Sequence, residues 1–112
     1  QKLNVEEMKK AIKFFEGEHD FKAFKSSGTS SKSSVRTIYN AELKQNGERI
    51  IIELTGNGFL YNMVRIISGT LLEVGLGNIK AEDIPNIIES KDRKMAGKTL
   101  PPHGLYLVEV MY

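Results

Sequence analysis

Apolar side chains recur every three or four residues near the start of the chain, which predicts an amphipathic helix over residues 4 to 16. Its apolar positions are Val5, Met8, Ile12 and Phe15. Asn4 is a suitable N-cap for this helix, and Gly17 is a suitable end. A run rich in serine, glycine, threonine and lysine from 26 to 34 then predicts a loop, which Phe21 and Phe24 can anchor to a core.

The middle of the chain alternates between apolar and polar positions, and this alternation predicts a β-hairpin. Its strands cover residues 35 to 44 and 48 to 55, and Asn46-Gly47 between them is typical of a type I′ turn. The second strand has two distinct faces. Its core face is formed by Ile50, Ile52 and Leu54, and its opposite face by Arg49, Ile51, Glu53 and Thr55.

Residues 56 to 75, GNGFLYNMVRIISGTLLEVG, form a strongly apolar segment. From Leu60 to Val74 the apolar positions run almost all round a helix, so this helix is predicted to be buried on most sides. A shorter helix is predicted from about Glu82 to Ser90, with Pro85 near its first turn. The chain ends in LYLVEVMY, which is apolar on both faces except for Glu109 and suits a central strand.

The predicted order of elements is therefore helix, hairpin, helix, helix and strand. It indicates an α+β fold in which helices pack on one face of a small antiparallel sheet. The length of 112 residues fits one domain. The chain has no cysteine, which excludes disulfides and cysteine nucleophiles and suits a cytoplasmic protein.

The sequence predicts neither a signal peptide at the amino terminus nor a membrane span. The amino terminus, QKLNVEEMKK, is too polar for a signal peptide, and no run approaches the roughly 20 apolar residues of a membrane span. The chain also lacks an initiator methionine, which processing or a cut from a longer parent chain would explain.

Arg65 is a permanent charge inside the predicted buried helix. At helical spacing it shares a stripe with uncharged residues only: Tyr61, Ser68, Gly69 and Leu72. The small residues beside it leave space for another group. Because an unpaired buried charge costs several kcal/mol, the guanidinium needs a carboxylate or a phosphate from elsewhere. That partner is either a structural one, Glu53 or Glu109, or an active-site carboxylate or ligand phosphate.

The net charge of +2 is too small to indicate a nucleic-acid partner by itself, but the basic residues are clustered. One cluster consists of Lys22, Lys25, Lys32, Arg36 and Lys44, and a second of Lys91, Arg93, Lys94 and Lys98. Either cluster is a solvated surface or a binding face. His19 and His103 are predicted in separate loops without metal-ligand spacing, so a metal site is not expected. No candidate catalytic carboxylate emerges.

The segment GNGFLYNMVRIISGTLLEVG resembles the signature of the tRNA pseudouridine synthase A (TruA) family. That signature is a Phe-Leu-(Tyr/His)-x-Met-Val-Arg helix, a small-residue turn and Glu-Val-Gly. Other pieces match in the family's order: GEHDFKAFKSSG, the strand start at Val35-Arg36-Thr37-Ile38 and the terminal GLYLVEVMY. The resemblance covers all 112 residues.

The resemblance implies half of the pseudouridine synthase fold. Enzymes of the family are isomerases that convert uridine to pseudouridine at positions 38 to 40 of the tRNA anticodon stem-loop. They use no cofactor or metal and act as homodimers. Their catalytic aspartate belongs to a Gly-Arg-Thr-Asp motif of the amino-terminal half, which this sequence lacks. The chain, 1–112, is therefore expected to be the carboxy-terminal half and inactive alone.

The resemblance also implies roles for particular residues. Arg65 matches the family arginine that pairs with the catalytic aspartate. Positions near the base pocket are matched by Leu105, Phe59, Leu60 and Met63. Asn62 stands where many members have histidine. The tRNA contacts expected from position and charge are Lys22, Lys25, Lys32 and Arg36. A non-catalytic RNA-binding module and a dimerisation domain with the same fold are the alternatives.

Overall fold

The computed structural model describes residues 2–26 and 33–100, together with the backbone of 106–111. These residues form an α+β fold, as predicted. The helices are α1 (Val5–Ile12), α2 (Met63–Gly75) and α3 (Ile84–Ser90), and the strands are β1 (Gly17–Asp20), β2 (Val35–Asn46), β3 (Arg49–Gly56) and β4 (Tyr106–Met111). Single 3-10 turns lie at Lys13–Phe15, Lys22–Phe24, Ala81–Asp83 and Arg93–Met95.

The four strands form one sheet in the order β1-β2-β3-β4. Strands β2 and β3 are antiparallel, as predicted, and β1 is antiparallel to β2, whereas β4 adds to β3 in parallel, so the described sheet is mixed. Within this sheet β4 is an edge strand, and the prediction of a central strand is therefore wrong for the described chain. Strand β1 was not predicted, because its sequence, GEHD, has no apolar residue to alternate with the polar ones.

The β-hairpin is confirmed, but its turn lies one residue later than the sequence predicts. Asn46 pairs with Arg49, so the two residues of the turn are Gly47 and Glu48. Of these only Gly47 has a positive φ, 64°. A type I′ turn needs a positive φ at both central residues, whereas a type II′ turn needs it only at the first. The predicted type I′ turn is therefore wrong.

The helices cover the face of the sheet that carries Ile50, Ile52 and Leu54, and all three side chains are buried. Aromatic rings fill the core between the layers, with Phe15 and Phe24 in edge-to-face contact at 5.2 Å. Asn4 caps α1 as predicted, since its Oδ1 accepts from the backbone N–H of Glu7. None of the helices seen in the described residues has the length and apolar character that a bilayer crossing requires.

Glu16 ties the end of the first helical segment to strand β2. Its carboxylate accepts a hydrogen bond from the backbone N–H of Ala41 at 2.8 Å and lies 3.2 Å from Nζ of Lys13. The Ala41 bond lowers the pKa of Glu16 below its ordinary value of 4.5, with Lys13 assisting and partial burial opposing. A carboxyl with a lowered folded-state pKa stabilises the fold above its unfolded pKa.

We therefore expect this stabilisation to be lost as the pH falls below about 4.5 and through the folded-state pKa. The Tm difference between the wild type and Glu16→Gln should be largest near neutral pH and should shrink on acidification. Glu18→Gln removes an exposed carboxylate from the neighbouring strand and serves as the control. A difference that stays constant from pH 7 to pH 3 would contradict this prediction.

Candidate functional site

Arg65 lies in the first turn of α2, where its side chain is half-buried. Its Nε donates to the carbonyl oxygen of Leu100 at 2.8 Å, and its Nη1 donates to Oδ1 of Asn62 at 3.0 Å. Two neutral oxygens, each bonded to a different nitrogen of the guanidinium, thus hold its plane in one orientation. Because a guanidinium carries five N–H donors, three remain after these two bonds.

No carboxylate among the described residues pairs with Arg65. Glu53, one of the two structural partners considered from the sequence, instead lies 3.2 Å from Nζ of Lys44. The side chain of the other, Glu109, is outside the described residues. In the described part of the chain Arg65 therefore has its orientation fixed and its charge uncompensated, which is the arrangement expected of a group that receives an anion from elsewhere.

The space that the small residues of α2 leave beside Arg65 is filled by the chain itself. Residues 97–100, which we call the crossing segment, pass directly over α2. A Cβ atom at Gly69 would overlap the carbonyl oxygen of Lys98. The backbone N–H of Gly97 donates to Oγ1 of Thr70 at 2.8 Å, and that of Leu100 donates to the carbonyl oxygen of Arg65 at 3.1 Å. The crossing segment therefore sets the position of the carbonyl that holds Nε of Arg65.

Asn62 is the residue that sequence reasoning undervalued. It precedes α2 with a left-handed backbone, φ 60°, so the helix begins at Met63 and not near Leu60 as predicted. While its Oδ1 accepts from Arg65, its Nδ2 donates to Oγ of Ser26 at 3.0 Å. Asparagine adopts this backbone more readily than most residues, which is a signal that the sequence did contain.

Three of the four predicted base-pocket residues, Phe59, Leu60 and Met63, lie around the start of α2. Leu60 and Met63 are buried in the core, at 6% and 0% exposure. Phe59 is half-buried and packs against the core beside Gly56. Only Phe59 of these three therefore has surface that a base can contact in the chain as described. Leu105 lies outside the described residues, and the base-pocket roles stay predictions.

The predicted tRNA contacts separate in the structure. Lys22 and Lys25 line one open groove together with Lys91, Asp92 and Arg93 from the second basic cluster. Arg36 does not line this groove; its Nη1 donates to the carbonyl oxygens of Ser33 and Val35. Lys32 lies outside the described residues. The RNA-binding roles of all four stay predictions.

No group of three potential metal-ligating side chains occurs among the described residues. His19, predicted in a loop, lies in strand β1, and its Nε2 is 2.8 Å from the carbonyl oxygen of Glu16. The ring also contacts Phe21 edge-on. His19 thus contacts residues of its own segment through both a ring nitrogen and the ring itself. His103 lies outside the described residues.

Comparison with known proteins gives a consistent result. A family model described as tRNA pseudouridine synthase matches residues 11–112. A tRNA pseudouridine synthase A from Acetivibrio thermocellus is 58% identical over 111 residues, which is 99% of this chain and 46% of that protein. Proteins of the same name from Thermoanaerobacter sp. and Clostridium botulinum are 56% and 53% identical, over 98% and 100% of this chain. The chain spans about half the length of the curated relatives it matches, 45 to 46%.

Proposed function

The chain belongs to the tRNA pseudouridine synthase family, and from this premise we propose that it is the carboxy-terminal half of an enzyme that converts uridine to pseudouridine in the tRNA anticodon stem-loop. Its contribution to the reaction is Arg65. The observation that carries this proposal is the guanidinium itself, which two neutral oxygens orient while no described carboxylate neutralises it.

In this proposal the free N–H groups of Arg65 bind the catalytic aspartate of the amino-terminal half. A guanidinium fork matches a carboxylate in two parallel hydrogen bonds, which fix the position of the carboxylate as well as its charge. The positive charge also holds the pKa of that aspartate low, so the group stays ionised at neutral pH. Arg65 is therefore a positioning residue that acts on the uridine through the aspartate.

In the proposed reaction this half has to supply no co-substrate site and only part of the pocket for the base. Isomerisation exchanges the glycosidic carbon–nitrogen bond of uridine for a carbon–carbon bond to the same base, so it consumes no co-substrate. The base must first leave its helix, at a cost of a few kcal/mol. In this proposal Phe59, which is half-buried and precedes α2, contacts the extruded base.

Strand β4 supports the proposal that another half is required. It is the edge of the described sheet, and its sequence is apolar on both faces apart from Glu109. An edge strand of this composition presents unpaired backbone groups beside apolar side chains, which is hazardous unless another strand covers it. In the proposed enzyme the sheet of the amino-terminal half covers this edge.

The proposal is tested by assaying uridine conversion in a tRNA anticodon arm. The full-length protein should convert the target uridines, and the 112-residue chain alone should not. Conversion by the chain alone would overturn the proposed division of the active site. A full-length protein that binds tRNA without converting it would instead favour the non-catalytic RNA-binding module.

Asn62 provides a test of how Arg65 is oriented. Asn62→Gly keeps the left-handed backbone and removes the amide bridge between Arg65 and Ser26. We expect kcat of the full-length enzyme to fall about tenfold because the guanidinium loses one of its two fixed acceptors. Asn62→His should largely retain activity, since a neutral imidazole offers one acceptor and one donor and histidine is also enriched in this backbone region. Equal kcat of Asn62→Gly and Asn62→His would contradict the role of Asn62 as a bridge between Arg65 and Ser26.

A further inference from the structure

A basic groove with a volume of about 560 Å³ shares Ser26 with the hydrogen bonds around Arg65, and its other lining residues have no part in them. Its lining comes from two segments far apart in sequence: Lys22, Lys25 and Ser26 from one, and Lys91, Asp92 and Arg93 from the other. We infer that this groove binds the phosphodiester backbone of the RNA substrate, so that Lys91 and Arg93 are RNA-binding residues together with Lys22 and Lys25. This inference rests on the proposed function and adds a contact surface to it.

The charge of the groove favours an anion strongly. It has four cationic side chains and one carboxylate, and Lys22, Lys25 and Lys91 form no ion pair with any described residue. The carboxylate of Asp92 is turned to its own backbone, where Oδ1 accepts from the N–H of Lys94 at 3.0 Å. Neighbouring cations that outnumber the acids on a concave surface raise the local concentration of a polyanion.

The groove is built by ordered backbone. One wall is the 3-10 turn Lys22–Phe24, which Ala23 and Phe24 anchor in the core at 0% exposure. The other wall follows Lys91, which ends α3 with a left-handed backbone, φ 55°. Arg93 stabilises that wall, because its guanidinium donates to the carbonyl oxygen of Gly97 and to Oγ1 of Thr99. Less ordering is therefore needed on binding than for lysines on a mobile segment.

The occupant is identified by what adjoins the groove. Ser26 lines it, and the backbone N–H of Ser26 donates to the carbonyl oxygen of Tyr61, a residue that is 62% exposed. An exposed tyrosine bonded to a lining residue of a cationic groove fits the combination that binds unpaired nucleotides, in which aromatic rings stack on bases and cations contact phosphates. Ser26 also holds Asn62, so a strand in this groove passes next to the residues that orient Arg65.

The inference predicts that the lysines of both walls contribute to RNA affinity. In the full-length enzyme we would measure the Kd for a tRNA anticodon arm over a range of salt concentrations. Lys22→Gln combined with Lys91→Asn should raise Kd about tenfold and reduce the salt slope by about 1 for each lysine. Asparagine is chosen at 91 because it tolerates the left-handed backbone. Arg93 is left intact because it holds the crossing segment.

Two comparisons keep the result interpretable. Lys80→Gln removes the same charge from an exposed position at the opposite end of α3 and should leave Kd and the salt slope unchanged. Lys22→Arg with Lys91→Arg keeps the charge and should keep the affinity. Turnover at saturating RNA should equal that of the wild type in Lys80→Gln, because Lys80 does not line the groove.

An unchanged Kd and salt slope in the double variant Lys22→Gln, Lys91→Asn would overturn the groove as an RNA site. An equal loss of RNA affinity in Lys80→Gln would overturn it as well. Neither result would affect the proposed function, provided that the wild-type enzyme converts uridine. Conversely, a wild-type protein that binds the RNA through these lysines but converts no uridine would refute the proposed function. The groove would still be supported as an RNA-binding site.

Discussion

Replacing Arg65 by alanine in the full-length enzyme should lower kcat at least about a hundredfold, the scale observed when a preorganised charged or hydrogen-bonding group is removed from an active site. The physical reason is that the catalytic aspartate would lose the group that holds both its position and its ionised state. The fold should persist, because the guanidinium is only half-buried and replaces water at two neutral oxygens. Circular dichroism together with single-turnover kinetics measures the two effects separately.

Arg65→Lys distinguishes charge from geometry. Lysine keeps the positive charge, but a single ammonium cannot bond Leu100 and Asn62 and still present two parallel donors to a carboxylate. We therefore expect the kcat of the lysine variant to be much closer to that of the alanine variant than to that of the wild type. Arg49→Ala, which removes an exposed arginine at the start of β3, is the control and should be nearly silent. Near-normal kcat in Arg65→Ala would show that this arginine has only a structural role.

Gly69→Ala should cost about 3 kcal/mol of stability, although alanine is the better helix former by about 1 kcal/mol. The added Cβ would occupy the position of the carbonyl oxygen of Lys98, and backbone cannot yield as a side chain does. The crossing segment would have to lift away from α2. Because Leu100 belongs to this segment and its carbonyl holds Nε of Arg65, kcat of the full-length enzyme should fall as well.

Gly75→Ala is the matched control for this prediction, since it makes the same substitution in the same helix. At Gly75 the added Cβ would meet mainly the thioether sulfur of Met8, the end region of a flexible side chain. Its effect on Tm should therefore be clearly smaller, and its kcat should be close to that of the wild type. Similar losses of Tm and of activity in both variants would contradict the special role of the crossing segment.

The chemistry of the site was only partly predictable. The sequence showed that Arg65 has no acidic neighbour on its own helix, and the structure confirms this for the described residues. It did not show that a segment more than 30 residues later would fill the space beside Arg65, because Leu100 is separated from Arg65 by α3 and two 3-10 turns. A hydrogen bond between residues 35 positions apart has no effect on the pattern of apolar and polar residues along either segment.

The same distinction applies to the basic residues. Their two clusters were visible as composition, but the groove exists only because the 3-10 turns Lys22–Phe24 and Arg93–Met95 pack side by side. The bridge through Asn62 was also invisible, since its two partners, Ser26 and Arg65, are 36 and 3 residues away. Contacts between segments distant in sequence depend on how the helices dock on the sheet.

The sequence by itself determined the elements whose burial pattern is local. The apolar spacing of α1, the alternation of β3 and the isoleucines of α3 each assign a buried face, because one periodicity fits and the other does not. Only the tertiary structure decided that β4 joins the sheet in parallel at its edge. It also decided that the crossing segment accepts a hydrogen bond from Nε of Arg65. The physical reason is that strand pairing and backbone crossing join residues far apart in the chain, whose encounter no local pattern encodes.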